Sequence, residues 1–106
     1  MFAQLIKPFR TLDIEESRRL ISNREIILSE YALIRLNENQ KRLFTEDEIL
    51  RIIKEEISIK VHLQINQKYV YYYALEKDFL KLVLEVTEKK VVIVTLLYVK
   101  KISEFS

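Results

Sequence analysis

Residues 57–100 read ISIKVHLQINQKYVYYYALEKDFLKLVLEVTEKKVVIVTLLYVK, and the fold turns on how that stretch is parsed. Three runs rich in Ile, Val, Leu and Tyr stand out: Ile57 to Ile65, Tyr69 to Leu75, and Phe79 to Val99 with a charged break at Glu88, Lys89 and Lys90. Alternation with a period of two is the mark of strands, and β-branched and aromatic side chains suit a pleated, half-buried surface. The spacing predicts a meander of four strands joined by polar turns at Asn66-Gln67, Lys77-Asp78 and Glu88-Lys89-Lys90. In the first strand Ile57, Ile59, Val61, Leu63 and Ile65 point to a core, while Ser58, Lys60, His62 and Gln64 point to water. The last strand is apolar on both faces.

The residues before this stretch carry helix signals. Asp13 with Glu16 resembles a capping box, and it starts a helix running to about Asn23 with Ile14, Ser17, Leu20 and Ile21 on one narrow face. Glu25 to Leu28 is too brief to assign and reads as an extended lead-in. Ser29 is a good N-cap for a second helix, SEYALIRLNENQ, which ends among Asn37, Asn39 and Gln40. At helical spacing Tyr31 and Arg35 share a face. Thr45 and Glu48 form a second capping box, with Leu43 and Phe44 before it and Phe44 and Ile49 at the staple positions. Ile49, Ile52, Ile53 and Ile57 then make a core-facing stripe, and Asp47 and Arg51 a surface pair. The expected architecture is a single α+β domain over residues 1–106. Two or three N-terminal helices (11–56) pack on one face of a four-stranded, mainly antiparallel sheet (57–100).

A chain of 106 residues can bury one core without staples. It has no cysteine, which excludes disulfides and thiolate metal sites and makes an intracellular, cytoplasmic location the default. It also has no glycine, which excludes a P-loop, a dinucleotide-binding GxGxxG turn and a glycine-built nucleophile elbow. Richness in Ile, Leu, Lys and Glu suits a thermophile, as it suits a biased genome. The N-terminal MFAQLIKPFR is too short in apolar residues for a signal peptide, and no apolar run is long enough to span a bilayer. Net charge is +2, with the basic excess in the sheet half. That is compatible with an anionic partner but falls short of a dedicated nucleic-acid stripe, and edge lysines that discourage aggregation explain it as well. Three short helices cover only one face of the sheet, so a homodimer through the Tyr- and Val-rich outer surface, or through an edge strand, is expected.

His62 is the only histidine, hence the side chain best suited to proton transfer near neutral pH. An exposed strand histidine without a role is the plainer reading. Tyr69, Tyr71, Tyr72 and Tyr73 invite base stacking, although strand and interface packing accounts for them too. The acidic clusters Glu46-Asp47-Glu48 and Glu55-Glu56 sit at a helix start and end with no histidine at ligand spacing, so neither a metal nor a cofactor is expected. No serine stands in a turn that would activate it as a nucleophile.

ILSEYALIRLNENQKRLFTEDEILRIIKEE (27–56), followed by LKLVLEV (80–86) and VVIVTLLYV (91–99), resembles a family of small uncharacterised bacterial and archaeal domains. In that family a helix reading S-x-H-A-x-x-R precedes a capped T/S-x-x-E helix and a sheet of three or four strands. The family is similar in fold to the RelE and BrnT ribonuclease toxins. Ser29, Ala32 and Arg35 match the motif, while Tyr31 stands where the family usually has histidine. A tyrosine of ordinary pKa is a poor general base at neutral pH, but it can donate a proton or stack on a base. The resemblance implies a metal-independent ribonuclease, or an inactive descendant of one, with an antitoxin as partner. Tyr31, Arg35 and His62 would be catalytic, and Lys60, Tyr98 and Lys100 would contact RNA. The alternative is a non-catalytic homodimerising module that binds protein or nucleic acid, with Arg35 in a structural ion pair.

Overall fold

The computed structural model describes residues 8–38 and 44–102. In chain order the elements are β1 (Pro8–Leu12), α1 (Ile14–Ile21), β2 (Glu25–Leu28), α2 (Glu30–Glu38), α3 (Glu46–Glu55), β3 (Lys60–Gln64), β4 (Tyr69–Ala74), β5 (Phe79–Val86) and β6 (Lys90–Val99). The strands form one six-stranded sheet in the order β1-β3-β4-β5-β6-β2. Every pairing is antiparallel except β2 with β6, which is parallel. The protein is therefore α+β, and the described residues form a mixed sheet of six strands rather than four. No helix among the described residues is long and apolar enough to cross a membrane. The N-terminal segment before Pro8, Leu43, and the predicted helix end at Asn39 and Gln40 lie outside the described residues.

Local chemistry sets the helix starts. Glu16 N–H donates to Asp13 Oδ1 at 2.8 Å and Asp13 N–H to Glu16 Oε1, closing the capping box of α1. Thr45 and Glu48 do the same for α3. Each box satisfies amides that a helix N-terminus otherwise leaves without partners. Ile49, Ile52 and Ile53 are buried as the stripe requires, but α3 stops at Glu55 and leaves Ile57 exposed. Arg51 pairs with Glu55 and Glu56, not with Asp47.

The turns manage without glycine as expected. Gln64 N–H donates to Lys68 C=O around Gln67, which takes a positive φ of 71°, and Leu75 N–H to Asp78 C=O and Thr87 N–H to Lys90 C=O close the other two. Positive φ costs a residue with a Cβ about 1–2 kcal/mol, and Asn66 Oδ1 offsets part of it by accepting from Lys68 N–H.

The two strands that the sequence pattern missed are the two edges. β1 pairs with β3 and β2 with β6, so the connection through α1 must cross the intervening strands, roughly 24 Å at usual strand spacing. The buried Tyr71 hydroxyl on β4 donates to Ser17 C=O in the middle of α1 at 2.6 Å, which pins the helix across the sheet. Both edges are short and unremarkable as peptides. Their strand conformation comes from partners about 50 and 65 residues away.

β6 carries a bulge. Leu84 pairs with Ile93 and Val83 with Thr95, so Val94 is the extra residue and the side-chain alternation reverses there. Val91 and Ile93 before it, and Leu96 and Tyr98 after it, consequently share the helix-covered face. This resolves why the last strand reads as apolar on both sides.

The face away from the helices differs from expectation. His62, Val70 and Tyr72 are fully buried there and Gln64 nearly so, whereas Ile57, Ile59 and Ile65 are exposed. Val61 and Leu63 do face the core. With β1 outside it, β3 is an interior strand, and His62 sits between Thr11 and Val70 with the Tyr72 ring centroid 6.0 Å away. The wet side of β3 is thus dry at its centre. Tyr71, Tyr72 and Tyr73 are likewise buried, so no broad tyrosine surface remains on offer.

Candidate functional site

The start of α2 is fastened to the bulge of β6. Ser29 N–H donates to Ile93 C=O, Ser29 Oγ donates to Val94 C=O at 2.8 Å, and the same Oγ accepts from Ala32 N–H at 3.0 Å. Ser29 is at once the helix cap and the clamp between helix and sheet. Ala32, wholly buried, lets α2 approach closely, and Leu36 one turn on continues the contact.

That anchoring places the flank of α2 beside the C-terminal half of β6. Arg35, Glu38, Leu96, Leu97 and Tyr98 line one cavity of about 240 Å³. The Arg35 guanidinium lies 6.0 Å from the Tyr31 ring centroid, at the outer limit of a cation–π contact, and the ring is 55% exposed. Among the described residues Arg35 makes no ion pair. Tyr98 stacks on Phe44 with centroids 6.2 Å apart, and its hydroxyl is buried without a hydrogen-bond partner among the described residues. Burial first, then Asp78 and Glu48, raises its pKa. Lys100 is exposed one residue past the end of β6.

The structure thus brings Tyr31, Arg35 and Tyr98 together, and it does not bring His62 or Lys60 to them. Lys60 pairs with Tyr72, and His62 with Val70, on the opposite face of the sheet. Burial, followed by the positive charges of Lys60 and Lys81, lowers the His62 pKa to about 4. Buried and neutral, the imidazole is part of the packing of that face.

Glu38 is the site residue that sequence reasoning missed. Its signal was the spacing of three from Arg35, which puts both on one helical flank. A larger cleft of about 430 Å³ lies between α1 and α3, above Tyr71 and Tyr73. It is lined by none of Tyr31, Arg35, Lys60, His62, Tyr98 or Lys100, and the Tyr71 hydroxyl on its floor is already spent on Ser17. No group of three or more His, Asp or Glu among the described residues is placed to hold a metal ion.

Chemically, the cavity offers a guanidinium for a phosphate or carboxylate, and the exposed Tyr31 phenol beside that guanidinium can stack or donate a proton. Comparison with models of protein families, with curated proteins and with solved structures found no match to this chain.

Proposed function

We propose that this chain is a cytoplasmic, RelE/BrnT-like, toxin-type domain that engages RNA without a metal through Tyr31, Arg35 and Tyr98. The observation that carries this reading is the meeting of Arg35 on α2 with Tyr98 on β6 in one cavity, with Tyr31 beside the guanidinium. Two elements of the motif that lie some 60 residues apart are thereby joined. Arg35 binds the phosphodiester and, where cleavage occurs, stabilises the charge that builds on the phosphorane as the ribose 2′-hydroxyl attacks. The Tyr31 hydroxyl donates a proton to the departing 5′ oxygen, the 2′ proton passes to water, and the product is a 2′,3′-cyclic phosphate. Lys100 lengthens the cationic track. An antitoxin chain and a second copy are the partners this reading implies.

A second reading, binding without cleavage, is favoured by one observation. The only histidine in the chain is buried on the far face, away from the cavity. The two are separated by incubating purified protein with structured and single-stranded RNAs in EDTA, beside Arg35→Ala. Metal-free cleavage that disappears in the variant supports the ribonuclease. Binding without cleavage, lost in the same variant and steeply weakened by salt, supports the second reading. No binding of any RNA removes both.

A further inference from the structure

Among the described residues the edge of β6 is only half paired. β2 pairs with Lys90 through Ile93, after which the chain leaves the sheet at Ser29. Ser29 N–H donates to Ile93 C=O, so Ile93 turns its polar backbone groups away from β5. Its partner Leu84, and Leu82 and Leu80 further along β5, repeat that orientation with a period of two, and across from the latter pair stand Leu96 and Tyr98. Past the bulge, then, the N–H and C=O of Leu96 and Tyr98 point outward along an edge from Thr95 to Val99 that no other described strand pairs.

Free edges are normally blunted by charge, proline, bulges or brevity. β1 begins at Pro8, carries Arg10 and is bulged, and β2 has four residues and begins at Glu25. The segment Thr95-Leu96-Leu97-Tyr98-Val99 has no charge and no proline.

We propose that this edge is the docking surface for a second copy of the chain, whose own β6 adds antiparallel about a two-fold axis at Leu97. In that register Leu96 of each copy exchanges both backbone hydrogen bonds with Tyr98 of the other, and the two Leu97 residues face one another as a non-hydrogen-bonded pair. The free length suits the pairing, because Ser29 bounds the edge on one side and the bend at Lys100 on the other. The flank is self-complementary. Arg35 and Glu38 both line the cavity along this edge, so a two-fold axis lets Arg35 of each copy meet Glu38 of its mate. Tyr31 and Ile34, both exposed on α2 next to the edge, supply the apolar area that strand pairing alone lacks. A second copy fits this balance of charges better than a strongly charged peptide would.

One consequence rests on the RNA reading: the paired copy covers Arg35, so RNA and the second copy compete for it.

The absence of cysteine makes the interface directly testable. Facing residues of a non-hydrogen-bonded pair have Cα atoms about 4.5 Å apart, within disulfide reach. Under mild oxidation Leu97→Cys is expected to form a linked dimer at least about tenfold faster than Ile65→Cys, whose thiol would sit in the exposed β3–β4 turn. Should Leu97→Cys fail to fold, a mixture of Thr95→Cys and Val99→Cys chains is expected to give the mixed dimer in preference to either self-linked one. Equal linking at Leu97 and Ile65, or no preference in the mixture, overturns the proposal. In sedimentation equilibrium Arg35→Glu weakens the dimer about tenfold, and adding Glu38→Arg restores it to within about threefold. Linking at Leu97 with RNA binding undiminished in the linked dimer keeps the interface and removes the RNA site from Arg35. RNA binding without linking does the reverse.

Discussion

Two clusters in this molecule draw on the same residue types and end up in opposite circumstances. Lys60, His62 and Tyr72 lie at the centre of one sheet face, where His62 and Tyr72 are buried and the imidazole is held neutral. Tyr31, Arg35 and Tyr98 lie at the far corner of the other face, where α2 overhangs a half-free strand and the guanidinium opens into a cavity. A perturbed pKa is often a sign of function. Here the largest downward shift belongs to the dry cluster and has burial as its leading cause, while the cluster that can meet a ligand is the one whose guanidinium lines a cavity.

The largest effect that would separate the clusters is on RNA. Arg35→Ala is expected to lower metal-free cleavage about 100-fold, the usual cost of removing one donor to a developing oxyanion, while thermal stability changes by less than about 0.5 kcal/mol. A matched fall in stability would mean that Arg35 is structural, and the contrast with His62 would collapse.

Acid tests the dry cluster. His62 takes up a proton near 6.5 in the unfolded chain but only near about 4 in the folded one, so the unfolded state holds more protons between those values. Its contribution to stability is whole above about pH 6.5 and is lost as pH falls toward 4, amounting to roughly 2–3 kcal/mol. Urea unfolding at pH 7, 5.5 and 4 should show the decline, and His62→Gln should flatten it. A wild-type slope unchanged by the substitution would place the acid-labile group elsewhere.

A smaller effect tests the side on which the helices lie. Tyr71→Phe removes the hydroxyl that reaches Ser17 and is expected to cost about 1–1.5 kcal/mol in chemical denaturation, with the Arg35 cavity untouched. The smallest concerns the hairpin that carries His62 and Tyr72. Gln67→Gly relieves a positive φ and should stabilise by about 0.5–1 kcal/mol, a gain read as a rise in Tm. Destabilisation there would show that the glutamine side chain contributes more than its backbone costs.

Much of the local structure was legible without coordinates. Both capping boxes, the Ser29 cap, the three glycine-free turns and the four strands after Lys60 follow from residues that act on neighbours three or four positions away. The pairing of Tyr31 with Arg35 was legible for the same reason, being one helical turn. What failed to show were the two edge strands, the bulge at Val94 and the fate of His62. Glu25-Ile26-Ile27-Leu28 is too short to be marked as a strand, even after the turn at Ser22-Asn23, until Lys90 to Ile93 lies alongside.

Sequence by itself determined where helices begin, where the chain turns and which residues are apolar enough to be core, because each of these depends on short-range hydrogen bonds and on transfer from water. Tertiary structure alone decided which strand lies at which edge, which face of β3 is dry and that Arg35 meets Tyr98 in one cavity. Those outcomes depend on pairing between residues some 50 to 65 positions apart. A one-residue bulge is enough to exchange the two faces of a strand, and no local pattern records it.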